Sequence, residues 1–176
     1  MENAGGRFSK DCADLVRFLA YSGMRKTEAA NVLWSDCDLE KGQIRVRITK
    51  NGEPRTIPVI AEMKALLLRL RSECPELKPE DPVMLVNECE ESMTRAARKV
   101  PGMARITHHD LRHLFATRCV ESGVDIPTVS RWLGRKDGGT LAMRVYGHLR
   151  DEHSASLAAK VSFAIAPASP AVTATA

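Results

Sequence analysis

Gln43-Ile44-Arg45-Val46-Arg47-Ile48-Thr49-Lys50-Asn51-Gly52-Glu53-Pro54-Arg55-Thr56-Ile57-Pro58-Val59 is the stretch that decides the fold class of this 176-residue chain. Ile44, Val46 and Ile48 alternate with Arg45, Arg47 and Thr49, a period of two that suits a half-buried strand. Asn51-Gly52 is a strong tight-turn signal, since both residues tolerate positive φ. Arg55–Val59 returns as the partner strand. Trp34–Leu39 adds a first strand before a Lys41-Gly42 turn.

Around this insert the period is helical. Ser9 predicts the cap of a helix over about 10–22, with Leu15, Phe18 and Leu19 on one stripe and Gly23 as its stop. Thr27 predicts the cap of a short helix from Glu28 to about Leu33. Ala61 to about Glu73 is a leucine-rich helix stopped by Pro75, and Glu90–Val100 is another. Thr107 and Asp110 form a capping-box-like pair that opens a helix ending at Gly123. Pro127 suits the first turn of a helix through Leu133, closed by Gly134. Helices near Leu141–Tyr146 and about 151–162 follow. The class is mainly α with a small antiparallel β-sheet (α+β). The expected organisation is a lead over 1–8, one domain over 9–166, and a disordered Ala/Pro/Thr/Ser-rich tail over 167–176.

The bulk numbers exclude several classes. No apolar run approaches the roughly 20 residues of a membrane helix, and the first residues carry no signal-peptide hydrophobic region. No membrane partner is therefore expected, and the expected location is cytoplasmic. Cys12, Cys37, Cys74, Cys89 and Cys119 form no CxxC pair, so neither a zinc ribbon nor a disulfide framework is indicated. Net charge is +4, and its distribution says more than its sum. Arg45, Arg47, Lys50 and Arg55 fall together, as do Arg95, Arg98, Lys99 and Arg105, and then Arg131, Arg135, Lys136 and Arg144. Singly these are ordinary solvated faces; gathered on one side by the fold they make a phosphate-binding surface.

Thr107-His108-His109-Asp110-Leu111-Arg112-His113, with Tyr146 downstream, carries the chemistry. At about 100° per residue, His109, Arg112, His113 and Ala116 share one helix face, with Leu111, Leu114 and Phe115 roughly opposite. The helix is expected to bury the second face and present His109 and Arg112 to a cleft. Alone, a histidine is more often a satisfied buried one, an arginine a surface ion pair, and Lys50 a plain hairpin lysine. As a set they suit phosphodiester exchange. A phosphodiester under attack accumulates charge on its non-bridging oxygens, and arginine offers a planar fork of donors that stays charged. One such preorganised donor lowers a barrier by about 2.7–4 kcal/mol. Arg25 and Arg112 are the candidate clamp. A tyrosine can form a covalent link that preserves the bond energy, but with a pKa near 10 only about one phenol in a thousand is ionised at pH 7. His109 can take its proton, and Lys50 can protonate the leaving 5′ hydroxyl. No Walker A loop is present, in keeping with an exchange that needs no ATP, and no cofactor or metal is expected.

In this order and context the residues resemble the catalytic domain of the tyrosine recombinases, or phage-type integrases. Tyr21-Ser22-Gly23-Met24-Arg25-Lys26-Thr27-Glu28 looks like the family's TGLRxxE box, which implies Arg25 as the first catalytic arginine and Glu28 as its acidic companion. Thr49–Pro58 looks like the family's hairpin, implying Lys50 as the active-site lysine. His109-Asp110-Leu111-Arg112-His113 is similar to the HxxRH box, and Leu133-Gly134 followed by Tyr146 to the LGH…Y end, implying Tyr146 as nucleophile. The resemblance runs from about residue 9 to 160. It implies strand cleavage and rejoining through a 3′-phosphotyrosyl intermediate on double-stranded DNA, with Arg45, Arg47, Arg55, Arg131 and Lys136 among the DNA contacts. A monomer in solution and a tetramer on DNA are expected, in a DNA-associated protein of bacterial, phage or mobile-element origin. Two departures stand out. Arg135 occupies the position where the family has histidine or tryptophan donating to the scissile phosphate, and Gly138-Gly139 lengthens the segment before Tyr146 by about two residues. The N-terminal core-binding domain of full-length members is expected to be absent, since the first helix arrives almost at once.

Three rivals remain at the level of sequence. HDLRH also reads as a near-HExxH zinc site, with His109 and His113 as ligands and a third ligand from His148 or His153. A catalytically impaired DNA-binding remnant of the same fold is the second, suggested by Arg135. A type IB topoisomerase, which shares the mechanism, is the third.

Overall fold

A computed structural model of the chain describes residues 6–47, 52–135, 140 and 143. Helix α1, Gly6–Ser22, runs through the centre, with Cys12, Leu15, Phe18 and Leu19 fully buried. It starts earlier than the Ser9 cap predicted: Ser9 lies inside the helix. Its stop is as read, with Gly23 in the left-handed region at φ 62°. There the Ser22 hydroxyl donates to the Phe18 carbonyl at 2.6 Å and accepts the Met24 N–H at 3.2 Å.

The single-turn α2, Lys26–Ala29, is capped at Arg25 rather than Thr27. The Glu28 carboxylate reaches back to the Arg25 N–H at 2.8 Å, which starts the helix two residues early. It ends before Leu33 because Asn31 N–H bonds three residues back to Glu28, tightening the last turn. The strand expected over Trp34–Leu39 is mostly a 3₁₀ turn, Trp34–Asp36, because the Asp36 carboxylate accepts the Leu33 N–H at 3.0 Å and folds the chain on itself. Only β1, Cys37–Asp38, pairs with the sheet.

Strands β2, Gln43–Val46, and β3, Arg55–Pro58, complete an antiparallel sheet in the order β1-β2-β3, with Ile44 opposite both Cys37 and Ile57. Ile44, Val46 and Ile57 are buried and Arg45 is exposed, as the alternation requires. Helices α3, Ala61–Glu73, and α4, Glu90–Arg98, follow. Met63, Leu67 and Met93 join α1 and the sheet in the larger of two apolar clusters.

Helix α5, His108–Glu121, packs against α1. The Thr107 hydroxyl accepts the Asp110 N–H while the Asp110 carboxylate accepts the Thr107 N–H at 2.8 Å, closing the expected box. Helix α6, Ile126–Leu133, starts at Asp125, whose carboxylate accepts the Thr128 N–H, and ends at Gly134 with φ 64°. Phe115, Val120, Val129 and Leu133 form the second cluster between α5 and α6. Among the described residues no helix is long and apolar enough to cross a membrane. Thr140 and Met143 are helical, while the rest of the expected helix over 141–146, the helix over 151–162 and the tail over 167–176 lie outside the described residues.

Candidate active site

The start of α2 and strand β3 meet at one carboxylate, with the first part of α5 and the end of α6 tied in through Arg112 and Arg55. Glu28 Oε1 accepts from Arg25 Nη1 at 2.7 Å and Arg55 Nη1 at 3.0 Å; Oε2 accepts from the Arg25 backbone N–H at 2.8 Å and Arg55 Nη2 at 2.6 Å. Burial alone would raise the Glu28 pKa. The hydrogen bonds from Arg55 and from Arg25 prevail and hold it below the usual glutamate value, so it is charged at neutral pH.

Arg112 sits beside this pair, and not where the helical wheel put it. It is 7% exposed, in the middle of the buried stripe with Leu111, Phe115 and Ala116, while Leu114, expected to pack, is 44% exposed. The correction has a specific cause. Arg112 Nη1 donates to the Gly23 carbonyl at 2.6 Å and Nη2 donates to the Leu133 carbonyl. Both acceptors close helices, where carbonyls lack intrahelical partners, so the guanidinium is solvated by two helix ends instead of water. Two of its five N–H groups are thereby used. Burial, and then the nearby Arg25, Arg55 and Arg135 cations, push the Arg112 pKa down to about 10, against the opposing pull of Glu28. Three guanidinium groups, those of Arg25, Arg55 and Arg135, thus lie close enough to Arg112 to act on its charge, with Glu28 the carboxylate among them, an electrostatic imbalance suited to an added anion.

Arg135 follows Gly134 and is half-buried; its Nε–H is buried and has no partner among the described residues. A buried donor left unsatisfied costs about 1–3 kcal/mol unless a ligand takes it. On the flank of α5, His109 Nε2 and His113 Nε2 lie 2.8 Å apart with their rings edge to face. Burial first, then His109 and Arg135, lower the His113 pKa; burial also lowers that of His108, against the pull of Glu88.

The remaining sequence candidates separate. Arg45 and Arg131 are exposed, Arg131 donating to Thr128 Oγ1 at 2.8 Å, and Arg47 pairs with Asp36 at 2.7 Å. Arg55, read as a DNA contact, is instead a 9%-exposed bridge from Glu28 to the Trp132 carbonyl. Lys50, Lys136 and Tyr146 lie outside the described residues. The zinc reading finds no support in the geometry. His109 and His113 have no third His, Cys, Asp or Glu donor grouped with them among the described residues, and the candidate third ligands His148 and His153 lie outside those residues. Among the described residues the one three-donor cluster is Glu88, Glu90 and His108, whose carboxylates already pair with Lys26 and Arg105.

Residues 6–153 match the model of the Phage integrase family. The chain belongs to the phage integrase family. Tyrosine recombinase XerA of Saccharolobus solfataricus is 36% identical to it over 137 residues, covering 77% of this chain and 45% of the relative. Among solved structures, that of XerA recombinase has a TM-score of 0.64 at 22% identity, covering 88% of this chain and 64% of the other. The Tn1549 transposon integrase in complex with transposon right end DNA has a TM-score of 0.63 at 20% identity, covering 86% and 60%. The fold is that of a tyrosine recombinase catalytic domain. This integrase-family chain spans about half the length of the curated relatives it matches.

The histidines give the integrase fold a pH dependence of definite sign. Unfolded, His108 and His113 take up protons near pH 6.5; folded, both stay neutral to lower pH. The unfolded state therefore binds more protons, and stability falls as pH drops through about 6.5, levelling off below the folded pKa values. Thermal melts between pH 7.5 and 5 are expected to show a declining Tm, with a shallower slope for His113→Gln. An equal slope in that variant would remove His113 from the account.

Proposed function

We propose that the chain is the catalytic part of a site-specific DNA recombinase that cleaves and rejoins double-stranded DNA through a 3′-phosphotyrosyl intermediate on Tyr146. The observation that carries this reading is the grouping of Arg25, Arg55 and Arg135 about the buried Arg112, with Arg25 held by Glu28 and the Arg135 Nε–H without a partner among the described residues. Arg25 and Arg112 neutralise the two non-bridging oxygens as charge builds on them. Arg135 supplies a third donor, with a fixed positive charge that a neutral histidine or tryptophan lacks. His109 takes the phenolic proton as Tyr146 Oη attacks phosphorus. The P–O5′ bond breaks, and Lys50 protonates the departing oxygen. Rejoining is the reverse, with a 5′ hydroxyl as nucleophile, so bond energy is conserved and no nucleotide is consumed. Arg45, Arg47, Arg131 and Lys136 are proposed to bind flanking phosphates. Arg55 is left out of that set because its donors face protein oxygens. The protein is proposed to act in the cytoplasm, as a monomer in solution that assembles as a tetramer on DNA.

Arg135 also motivates the second reading, a DNA-binding remnant with a blocked pocket. A pool of nicked duplexes, which trap cleavage products by losing the short 5′ fragment, separates the two. An active recombinase is expected to form a protein–DNA adduct that survives denaturation and disappears in Tyr146→Phe. No adduct from the native chain, with one appearing in Arg135→His, would instead establish the remnant.

A further inference from the structure

Arg55 has all three guanidinium nitrogens committed to protein oxygens. Nε donates to the Trp132 carbonyl at 2.7 Å, and Nη1 and Nη2 take the two oxygens of Glu28 as a bidentate pair at 3.0 and 2.6 Å. It therefore joins three elements remote in sequence: strand β3, the carboxylate that holds Arg25, and the end of α6 from which Arg135 departs. Gly134 is shaped around it. A Cβ there would stand 3.0 Å from Arg55 Nη1 and 3.1 Å from Cδ, and its φ is already +64°. The missing side chain at Gly134 both ends α6 and admits the Arg55 fork. Arg25, 30% exposed, has Glu28 as its carboxylate partner. Without Arg55, Glu28 keeps only the Arg25 backbone and side-chain N–H groups, which sit on one short turn and hold it less firmly.

We propose that Arg55 is a positioning residue of the phosphate site, fixing the Arg25 guanidinium through Glu28 and the Gly134-Arg135 turn through the Trp132 carbonyl. This rests on the recombinase reading for its consequence in catalysis, and on the geometry alone for its structural part. A displacement of about 1 Å in a group that clamps a reacting phosphate lowers rates on the order of 100-fold. Arg55 acts without touching DNA, so its loss is expected to act on the cleavage step and leave binding nearly intact.

The test uses the ¹⁵N-labelled full chain and reads the Arg25 Nε–H and Arg135 backbone N–H resonances, the single-turnover cleavage rate on a nicked duplex, and the Kd for that duplex. Arg55→Met is expected to shift both resonances and to slow cleavage on the order of 100-fold, with Kd changed by less than about three-fold. Arg55→Lys keeps a cation on Glu28 but lacks the fork that also reaches Trp132. It is expected to restore the Arg25 resonance and part of the rate, while the Arg135 resonance stays displaced. Gly134→Ala leaves Arg55 in place but presses on it, and is expected to move the Arg25 resonance as well. Should Arg55→Met not fold, the lysine and Gly134→Ala variants decide by the same resonances. Wild-type positions for both resonances in a folded Arg55→Met or Gly134→Ala would overturn the proposal. A wild-type chain that does not cleave would sink the recombinase reading instead, and the resonances would still decide the role of Arg55.

Discussion

Arg112→Met is expected to lower DNA cleavage by about 10²–10³-fold while reducing stability by only about 1–3 kcal/mol. The two effects differ because Arg112 does two opposed things. It satisfies the Gly23 and Leu133 carbonyls, and removing it orphans both acceptors in a buried place. It is also a cation that burial and three neighbouring guanidiniums disfavour, to the point that its pKa falls to about 10. Methionine fills much of the volume and removes that repulsion, so the stability terms partly cancel. Nothing cancels the functional term if Arg112 clamps the phosphate as proposed, because methionine brings no charge to meet it. Single-turnover cleavage of a nicked duplex and urea melts measure the two separately. A variant that cleaves within ten-fold of wild type would remove Arg112 from the phosphate clamp.

Gly23→Ala is expected to be the most destabilising single change in this region, by about 2–5 kcal/mol, adding a left-handed backbone penalty to overpacking. A Cβ at Gly23 would stand 2.4 Å from Phe115 Cδ1 and 2.9 Å from Leu133 Cδ2, in a backbone already at φ +62°. Phe115 and Leu133 belong to the buried cluster between α5 and α6, so neither can retreat without opening the core. The same peptide supplies the carbonyl that holds Arg112, so the variant also loosens the clamp. Tm is expected to fall by roughly 4–20 °C. Gly102→Ala is the control: its φ is +77° but nothing lies within 4 Å of the added Cβ, so only the backbone penalty of about 1–2 kcal/mol applies. Equal losses from the two changes would show that packing at Gly23 is not what matters.

These two positions also mark where the sequence was legible and where it was not. The alternation through Ile44 and Val46, the Thr107 box, Pro127 in a first turn and the Gly134 stop are local signals, each read from neighbours within a few residues, and each appears in the fold. The burial of Arg112 is not local. It depends on a carbonyl 89 residues away at Gly23 and another 21 residues away at Leu133. A helical wheel, which places side chains by angle within one helix, has no means of anticipating it. Arg55 was assigned to DNA for the same reason. It lies in a run of basic residues, and its carboxylate partner is 27 residues upstream. Glu28, read as the companion of Arg25, gave the one clue: its two oxygens can accept more than one arginine provides.

The central claim is that this arginine cluster serves a tyrosine–phosphate exchange, and mass spectrometry of the trapped adduct tests it most directly. After reaction with the nicked duplex pool, nuclease and protease digestion is expected to yield one peptide that contains Tyr146 linked to the 3′-phosphate of a nucleotide, with a free 5′ hydroxyl on the released strand. Linkage to any other residue, linkage through a 5′-phosphate, or cut DNA bearing a free phosphate and no protein would contradict it.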